Sequence, residues 1–303
     1  MAKNNAEPQM NPNFTAYIAP ARNEARWWKV LLTLVVWFGV YALLGNILAV
    51  GFVRVFQVKE LTQGEFTTPI SMFALLQTFV VWIVVFWGAL WLFHRRGLGS
   101  VIGGPRSTVL RDMLVAMVIF GVLSVAMNFV SPSEDDIVEN IARGRWLILL
   151  PLALVLMFFQ VSAEEIVFRG YIQQQLAVLF ESRWVFMVLP SVLFGLAHFF
   201  NTDLGLEARL VVVAFTALLG LFMADLTYRT GNLGAAIGVH FVNNFGALLW
   251  LSYQKEMSGL ARYYSPAFEG NPEALILAGK SSLIVMSVLF SIYFGIMEWR
   301  ARR

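Results

Sequence analysis

Long apolar runs recur along almost the whole chain, and they constrain its fold more than any other feature. A helix that crosses a bilayer needs about 20 consecutive, largely apolar residues, and about eight such runs fit into the 303 residues. Only 14% of the residues are charged, whereas a soluble domain carries roughly 25%. The sequence therefore predicts an all-α fold, a polytopic membrane helix bundle of about eight transmembrane helices.

The predicted spans follow a polar N-terminal segment that is rich in Asn and Pro. Residues 1–25 are predicted to form a flexible polar tail that is not a secretory signal. Residues 26–303 are predicted to form a single membrane domain, with its motif core at residues 146–253. The approximate spans are 28–53, 69–93, 113–130, 146 to about 165, 184–200, 210–226, 233–253 and 281–297.

Charge gives the predicted orientation. An even number of spans places both termini on one side, and that side holds the larger share of Lys and Arg, which indicates cytoplasmic termini. We expect a multi-pass protein of the plasma (inner) membrane in contact with membrane lipid. A net charge of +3 does not suggest nucleic acid as a partner, and the absence of Cys excludes disulfides and thiolate chemistry.

Two adjacent glutamates interrupt the fourth apolar run. Ionisable residues at membrane depth usually face a bundle interior or a wet cavity, and they mark a functional site by default. Glu165 and Arg169 are four residues apart, so they can pair on one helix face. Glu164 is turned by about 100° from Glu165 and is left available for chemistry.

Two later runs carry the other strong polar candidates. Phe194 and His198 are four residues apart, as are His240 and Asn244. A carboxylate can activate a water as general base, while imidazole and carboxamide groups can hold a developing oxyanion. Alternatively, Glu164, His198 and His240 could bind zinc or another divalent metal. Taken singly, such residues often serve only as hydrogen-bonding contacts between helices.

Other polar residues receive structural interpretations. We expect His94, beside two arginines, to lie at the cytoplasmic interface. Asp225 and Arg229 are predicted to form a local surface pair, and Asn243 is predicted to point away from the His240–Asn244 face. The stretch 168–183 is predicted to be an amphipathic connector in the interface.

The motifs resemble those of the CPBP family of intramembrane proteases, which includes the CaaX prenyl endopeptidases and bacteriocin-processing or immunity proteins. The family's motifs are Glu-Glu-x-x-x-Arg, Phe-x-x-x-His and His-x-x-x-Asn. Here they occur in that order as Glu164-Glu165…Arg169, Phe194…His198 and His240…Asn244. The resemblance covers about residues 163–244; the flanking helices share only their apolar character.

The resemblance implies an endopeptidase whose site lies in a cavity between the fourth, fifth and seventh helices. It implies that Glu164 activates a water which His198 helps to hold, and that His240 and Asn244 form the oxyanion site. Supporting roles fall to Glu165, Arg169 and Phe194. A mechanism with glutamate alone and one with a metal both stay open. We favour glutamate alone, because the His-x-x-x-His spacing of soluble zinc sites is absent.

Two further questions remain at this stage. The substrate could be a prenylated CaaX-type tail, a leader peptide or a transmembrane segment, and the competing functions are a non-catalytic immunity or assembly scaffold and a small transporter. The depth of the site is the second question. Glu164 lies about 27 Å along its helix from Trp146, at ~1.5 Å per residue, which places it at a different depth from His198. Either the fourth helix starts later and runs past Glu164 to near Gln173, or the connector 168–183 dips into the membrane; we favour the first.

Overall fold

The computed structural model describes residues 10–58, 64–130, 137–180, 182–199, 205–268 and 271–301. These residues are mainly helical. The α-helices are α1 (Pro12–Ile18), α2 (Trp27–Phe56), α3 (Pro69–His94), α4 (Gly99–Ile102), α5 (Arg106–Val130), α6 (Arg143–Glu165), α7 (Gln173–Phe180), α8 (Leu189–Ala197), α9 (Leu206–Thr230), α10 (Gly234–Asn244) and α11 (Pro272–Ala301). Short 3-10 turns lie at Ala19–Ala21, Lys255–Met257 and Pro266–Phe268.

The predicted helical membrane bundle is confirmed. Within the described residues, six helices are long and apolar enough to cross a membrane: α2, α3, α5, the joined run from α6 to α7, α9 and α11. The predicted fifth span is a shorter apolar helix, Trp184–Ala197. The predicted seventh is α10, continued by the π-helical turn Phe245–Trp250. Apolar side chains of the long helices remain exposed, as expected for surfaces that face lipid.

A π-helical turn adjoins each of the three helices that carry a predicted motif. The turn Ile166–Ile172 joins α6 to α7, the turn Trp184–Val188 leads into α8, and the turn Phe245–Trp250 follows α10. Single π-helical turns are rare in proteins, but many of those that occur lie at functional sites. Such a turn changes which residues share a helix face. Arg169 lies within the first of them.

The predicted continuation of the fourth helix past Glu164 is present, and it goes further than expected. The helical run from Arg143 to Phe180 has 38 residues, which corresponds to about 57 Å at ~1.5 Å per residue. It begins three residues before Trp146, so the predicted later start is wrong, and it ends seven residues beyond Gln173. Glu164 therefore lies near the middle of the run, and the glutamate pair is no longer at a helix end.

The predicted interfacial connector is wrong. The three consecutive glutamines 173–175 are fully buried. Gln173 donates from Nε2 to the carbonyl oxygen of Ala224 on α9 at 3.0 Å, and Gln174 donates to the carbonyl oxygen of Tyr17 at 2.9 Å. The amphipathic pattern arises because other protein segments, rather than lipid headgroups, cover the polar side of this helix.

One such segment is the N-terminus, which differs from the predicted flexible tail. From Pro12 the chain is helical, and its apolar residues at positions 14, 17 and 18 share one buried face. The Phe14 ring is 0% exposed and packs 5.1 Å from the Phe186 ring and 5.0 Å from the Tyr228 ring. Because polar residues surround this apolar face, the overall composition of the segment is polar and does not indicate a buried helix.

Tyr17 links this N-terminal helix to the run that carries the glutamates. Its hydroxyl lies 2.5 Å from the carbonyl oxygen of Val101 and 3.3 Å from that of Arg169. Burial raises the pKa of the Tyr17 hydroxyl, so the group stays protonated and donates. Gly103, at φ +76°, leaves room for the ring, since a Cβ there would collide with it.

A small three-stranded sheet caps the opposite end of the run. Its strands are β1 (Val138–Glu139), β2 (Leu251–Ser252) and β3 (Tyr263–Tyr264), and β3 lies between the others. The pairs β1–β3 and β2–β3 are antiparallel and parallel, respectively. Nearby, Trp146 donates from Nε1 to the carbonyl oxygen of Leu249 at 3.0 Å, which ties the start of α6 to the end of the π-helical turn after α10.

Candidate active site

Glu165 lies at the centre of a buried polar cluster. Its Oε1 accepts a hydrogen bond from Arg169 Nη1 at 2.8 Å and another from His240 Nδ1 at 2.8 Å. All three side chains are buried. The predicted Glu165–Arg169 pair is therefore confirmed, and the structure adds His240 from α10 as a second partner.

Glu164 has a different environment on the neighbouring face. Its Oε1 accepts a hydrogen bond from Gln160 Nε2 at 2.8 Å. Its other carboxylate oxygen, Oε2, lies 3.5 Å from His240 Nε2. This oxygen has no hydrogen-bond partner among the described residues. The side chain is also not fully enclosed, with 8% of the residue exposed. As the helix geometry predicts, the two glutamates differ: Glu165 is paired with two donors, one of them cationic, while Glu164 accepts from a neutral amide.

His240 lies between the two glutamates. Because an ionised carboxylate can only accept, the bond to Glu165 assigns a proton to His240 Nδ1. The Nε2 edge of the ring is then directed towards Glu164. This arrangement fixes the imidazole from one side and presents its other nitrogen to the unengaged carboxylate oxygen.

Phe194 joins the three helices. Its buried ring lies 4.7 Å from the His198 ring and 5.7 Å from the His240 ring, both edge-on. The Arg169 guanidinium lies 4.3 Å from the same ring, within the range of a cation–π contact. The fourth, fifth and seventh predicted helices thus meet at Phe194, while the cavity between them stays a prediction.

His198 lies at the end of α8 rather than within it. Its Nδ1 is 2.8 Å from the carbonyl oxygen of Phe194, so Nδ1 carries the proton and Nε2 is left as an acceptor. The residue is half-buried. Among the described residues, His198 meets the glutamate cluster through the Phe194 ring and makes no hydrogen bond to Glu164 or His240.

Asn244 connects to Glu164 through a residue that sequence reasoning missed. Its Nδ2 donates to Gln160 Oε1 at 2.8 Å, and Gln160 in turn donates to Glu164. Asn243 Nδ2 donates to Asn244 Oδ1 at 3.1 Å, so Asn243 contacts the predicted face of α10 instead of pointing away from it. The available signal was the four-residue spacing from Gln160 to Glu164 in an otherwise apolar run.

Gly220 on α9 is a second missed residue. A Cβ at this position would lie 2.7 Å from Arg169 Nη2 and 3.3 Å from the Phe194 ring. The glycine therefore provides the space that the buried guanidinium occupies. An isolated Gly in a helix pattern carries no sequence signal that separates this packing role from others.

Replacing Gly220 with Ala is expected to lower the free energy of unfolding by ~1–3 kcal/mol, because the added methyl group overpacks the buried guanidinium. Thermal unfolding of the purified protein in detergent measures this change. Gly45→Ala on α2 is the matched control, since no packing atom of the described residues lies within 4 Å of its Cβ position. Equal melting temperatures for the two variants would contradict the packing role of Gly220.

Binding of a metal requires that Glu164, His198 and His240 can direct their donor atoms at one ion. Among the described residues, no group of three His, Asp or Glu side chains is arranged to hold one ion. The Nδ1 atoms of His198 and His240 are both engaged, so a metal could be bound only through their Nε2 atoms, of which that of His240 lies 3.5 Å from Glu164 Oε2. The described geometry of Glu164, His198 and His240 does not fit a three-ligand zinc site.

Of two structural predictions near the site, one is wrong and the other is confirmed for the pairing but wrong for its surface position. His94 is buried rather than interfacial, and its Nε2 lies 2.8 Å from the Tyr171 hydroxyl. Asp225 and Arg229 do pair, with Nε to Oδ2 at 2.6 Å, but Asp225 is fully buried. Both sites are covered by neighbouring protein segments; for the pair, the Arg229 guanidinium lies 5.9 Å from the Tyr293 ring of α11.

Comparison with known proteins agrees with the geometry. Residues 145–246 match the family model described as type II CAAX prenyl endopeptidase Rce1-like. The chain is also 23% identical over 268 residues to YyaK, an uncharacterized protein of Bacillus subtilis (strain 168), with 85% of this chain and 89% of the relative covered. The matched segment contains all three motifs. The resemblance to the CPBP family that the motifs indicate is thus confirmed over residues 145–246.

Proposed function

We propose that this integral membrane protein is an intramembrane endopeptidase in which Glu164 activates the hydrolytic water. The observation that carries the proposal is the unequal environment of the two glutamates. Glu165 is neutralised by Arg169, bonded to His240 and 0% exposed, whereas Glu164 accepts a hydrogen bond from the neutral Gln160 and is 8% exposed; each of the two keeps its Oε2 without a hydrogen bond among the described residues. A general base needs such an unengaged oxygen within reach of the proton that it removes.

The acceptor atoms suit a water that attacks a carbonyl carbon. Glu164 Oε2 and His198 Nε2 are both acceptors, so a water between them donates both hydrogens and directs a lone pair at the substrate. Glu164 takes one proton as the new carbon–oxygen bond forms. When the carbon–nitrogen bond breaks, the same proton passes from Glu164 to the leaving amine.

The tetrahedral intermediate carries an oxyanion that requires donors. Asn244 has two N–H groups, and Gln160 accepts only one of them. With Nδ1–H bonded to Glu165, His240 can donate from Nε2 only as the imidazolium, in which both ring nitrogens carry hydrogens. We assign this Nε2–H, together with the other N–H of Asn244, to the oxyanion. Glu165 and Arg169 are positioning residues in this mechanism, because they fix the His240 ring without contacting the reacting atoms. Such preorganised donors are worth ~10²–10³-fold in rate when one is removed.

The substrate class follows from the family and from the surface of α8. The family description names CAAX prenyl endopeptidases, and we propose a membrane-associated peptide, either a prenylated CaaX-type tail or a leader peptide. Apolar residues on α8 beside Phe194 and His198 are exposed, namely Leu189, Val192, Leu193 and Leu196. A lipidated or apolar segment can approach the site across this surface.

Location and organisation complete the proposal. We propose residues 26–303 as one membrane domain with its motif core at residues 146–253. The excess of Lys and Arg on the side of the termini supports a plasma (inner) membrane protein whose termini are cytoplasmic.

A peptide panel tests the proposed activity and the absence of a metal step together. Purified protein in lipid vesicles is incubated with a prenylated CaaX-type peptide, its unprenylated form, a leader-type peptide and a helical transmembrane peptide, with and without a strong chelator. We expect cleavage of the prenylated or leader-type peptide at a rate that the chelator changes by less than about twofold.

Two outcomes contradict the proposal. Loss of cleavage with chelator and its recovery with added zinc would replace the glutamate mechanism by a metal mechanism. A failure to cleave any peptide, by protein whose melting profile shows that it is folded, would favour a non-catalytic scaffold.

A further inference from the structure

A directional chain of three amides ends on the proposed general base. Asn243 Nδ2 donates to Asn244 Oδ1 at 3.1 Å, Asn244 Nδ2 donates to Gln160 Oε1 at 2.8 Å, and Gln160 Nε2 donates to Glu164 Oε1 at 2.8 Å. The chain crosses from α10 to α6. Gln160 is its last amide, between Asn244 and Glu164, and is 6% exposed.

The charge of Glu164 sets the direction of the whole chain. An ionised carboxylate accepts and never donates, so the amide group that faces it from Gln160 must be the NH₂ group. The carbonyl oxygen of Gln160 is then turned towards α10, where it accepts from Asn244. A flipped Gln160 amide would place oxygen against carboxylate and NH₂ against NH₂, which costs both hydrogen bonds.

Gln160 therefore acts on two groups of the proposed mechanism at once. On Glu164 it engages Oε1 and leaves Oε2 for the water. On Asn244 it holds one N–H, which fixes the amide plane and so determines where the second N–H points. A side chain without an amide at position 160 removes both constraints.

We propose that Gln160 is a positioning residue that aligns the general base with the oxyanion donor, an inference that rests on the proposed function. It lies one helical turn before Glu164 and outside the three motifs. From this position, the single side chain of Gln160 orients two groups on different helices, Glu164 on α6 and Asn244 on α10.

Gln160→Met tests the inference, because Met has a similar length and neither donates nor accepts strongly. We expect kcat to fall by about 10- to 100-fold, the range for one or two hydrogen bonds to a charged group, with KM within about twofold. Gln173→Met is the matched control: Gln173 is buried on the same helical run, and its one hydrogen bond to a described residue goes to the carbonyl of Ala224. The control should lose stability comparably and keep its kcat.

A double variant separates positioning from simple helix packing. We multiply the fold loss of kcat in Gln160→Met by the fold loss in Asn244→Ala. If Gln160 acts through Asn244, the fold loss in the double variant should be at least about threefold smaller than this product. Fully multiplicative losses would overturn the inference. So would a wild-type kcat in Gln160→Met, or an equal loss of kcat in Gln173→Met.

The proposed function and this inference fail in different ways. If the wild-type protein cleaves a peptide and Glu164→Gln does not, while Gln160→Met matches the wild type, the function stands and the positioning role of Gln160 is refuted. If the folded wild-type protein cleaves none of the peptides, both are refuted.

Discussion

Glu164→Gln is expected to lower kcat by about 10²- to 10⁴-fold, the contribution of a general base to catalysis. The substituted amide has nearly the shape of the carboxylate, and its oxygen can still accept from Gln160 Nε2. It cannot take a proton from water at neutral pH. Initial rates with the best peptide of the panel, in lipid vesicles, measure the effect, and the melting temperature should change little.

Glu165→Gln is the matched control for this prediction. Glu165 accepts from both Arg169 and His240 and is fully buried. Its replacement should lower stability more than Glu164→Gln does, and should lower kcat less, because Glu165 does not contact the reacting atoms. A Glu165 variant that is folded and less active than Glu164→Gln would reverse the two roles.

Arg169→Met is expected to destabilise the protein by ~3–5 kcal/mol, because it leaves the buried Glu165 carboxylate without its cationic partner. The guanidinium also contacts the Phe194 ring, so the replacement removes a contact that joins α6 to α8. Thermal unfolding in detergent, at fixed pH and detergent concentration, measures the loss.

The double variant Glu165→Gln with Arg169→Met shows whether the cost comes from an uncompensated charge. Removing both partners of a buried ion pair is often close to neutral, so we expect the double variant to regain a large part of the stability lost in Arg169→Met. A double variant that is less stable than either single variant would indicate that packing, and not charge, dominates at this pair.

The parts of the site that depend on spacing along one helix could be predicted from sequence. The Glu165–Arg169 pair and the different environment of Glu164 follow from spacings of four and one along a helix, and the pair forms even though Arg169 lies in the π-helical turn that follows α6. The bundle follows from the apolar runs for a similar reason, since only helices satisfy their own backbone groups in lipid.

Contacts between distant segments could not be predicted in this way. The His240–Glu165 and Asn244–Gln160 hydrogen bonds join residues 75 and 84 positions apart. The buried face of α1 depends on aromatic partners on two later helices, so its sequence alone resembles a polar tail. The connector 168–183 was misplaced for the same reason, because a polar helix face can be covered by protein as well as by water.

The central claim is that a water activated by Glu164 attacks the substrate carbonyl directly. Single-turnover cleavage in oxygen-18 water tests this claim more directly than a measurement of reaction rates does. Excess wild-type protein cleaves one equivalent of peptide, and mass spectrometry locates the label in the product and in the peptide that contains Glu164. We predict label in the new C-terminal carboxylate of the product and none in Glu164. Label in the Glu164 carboxylate would indicate a covalent acyl intermediate and would contradict this account.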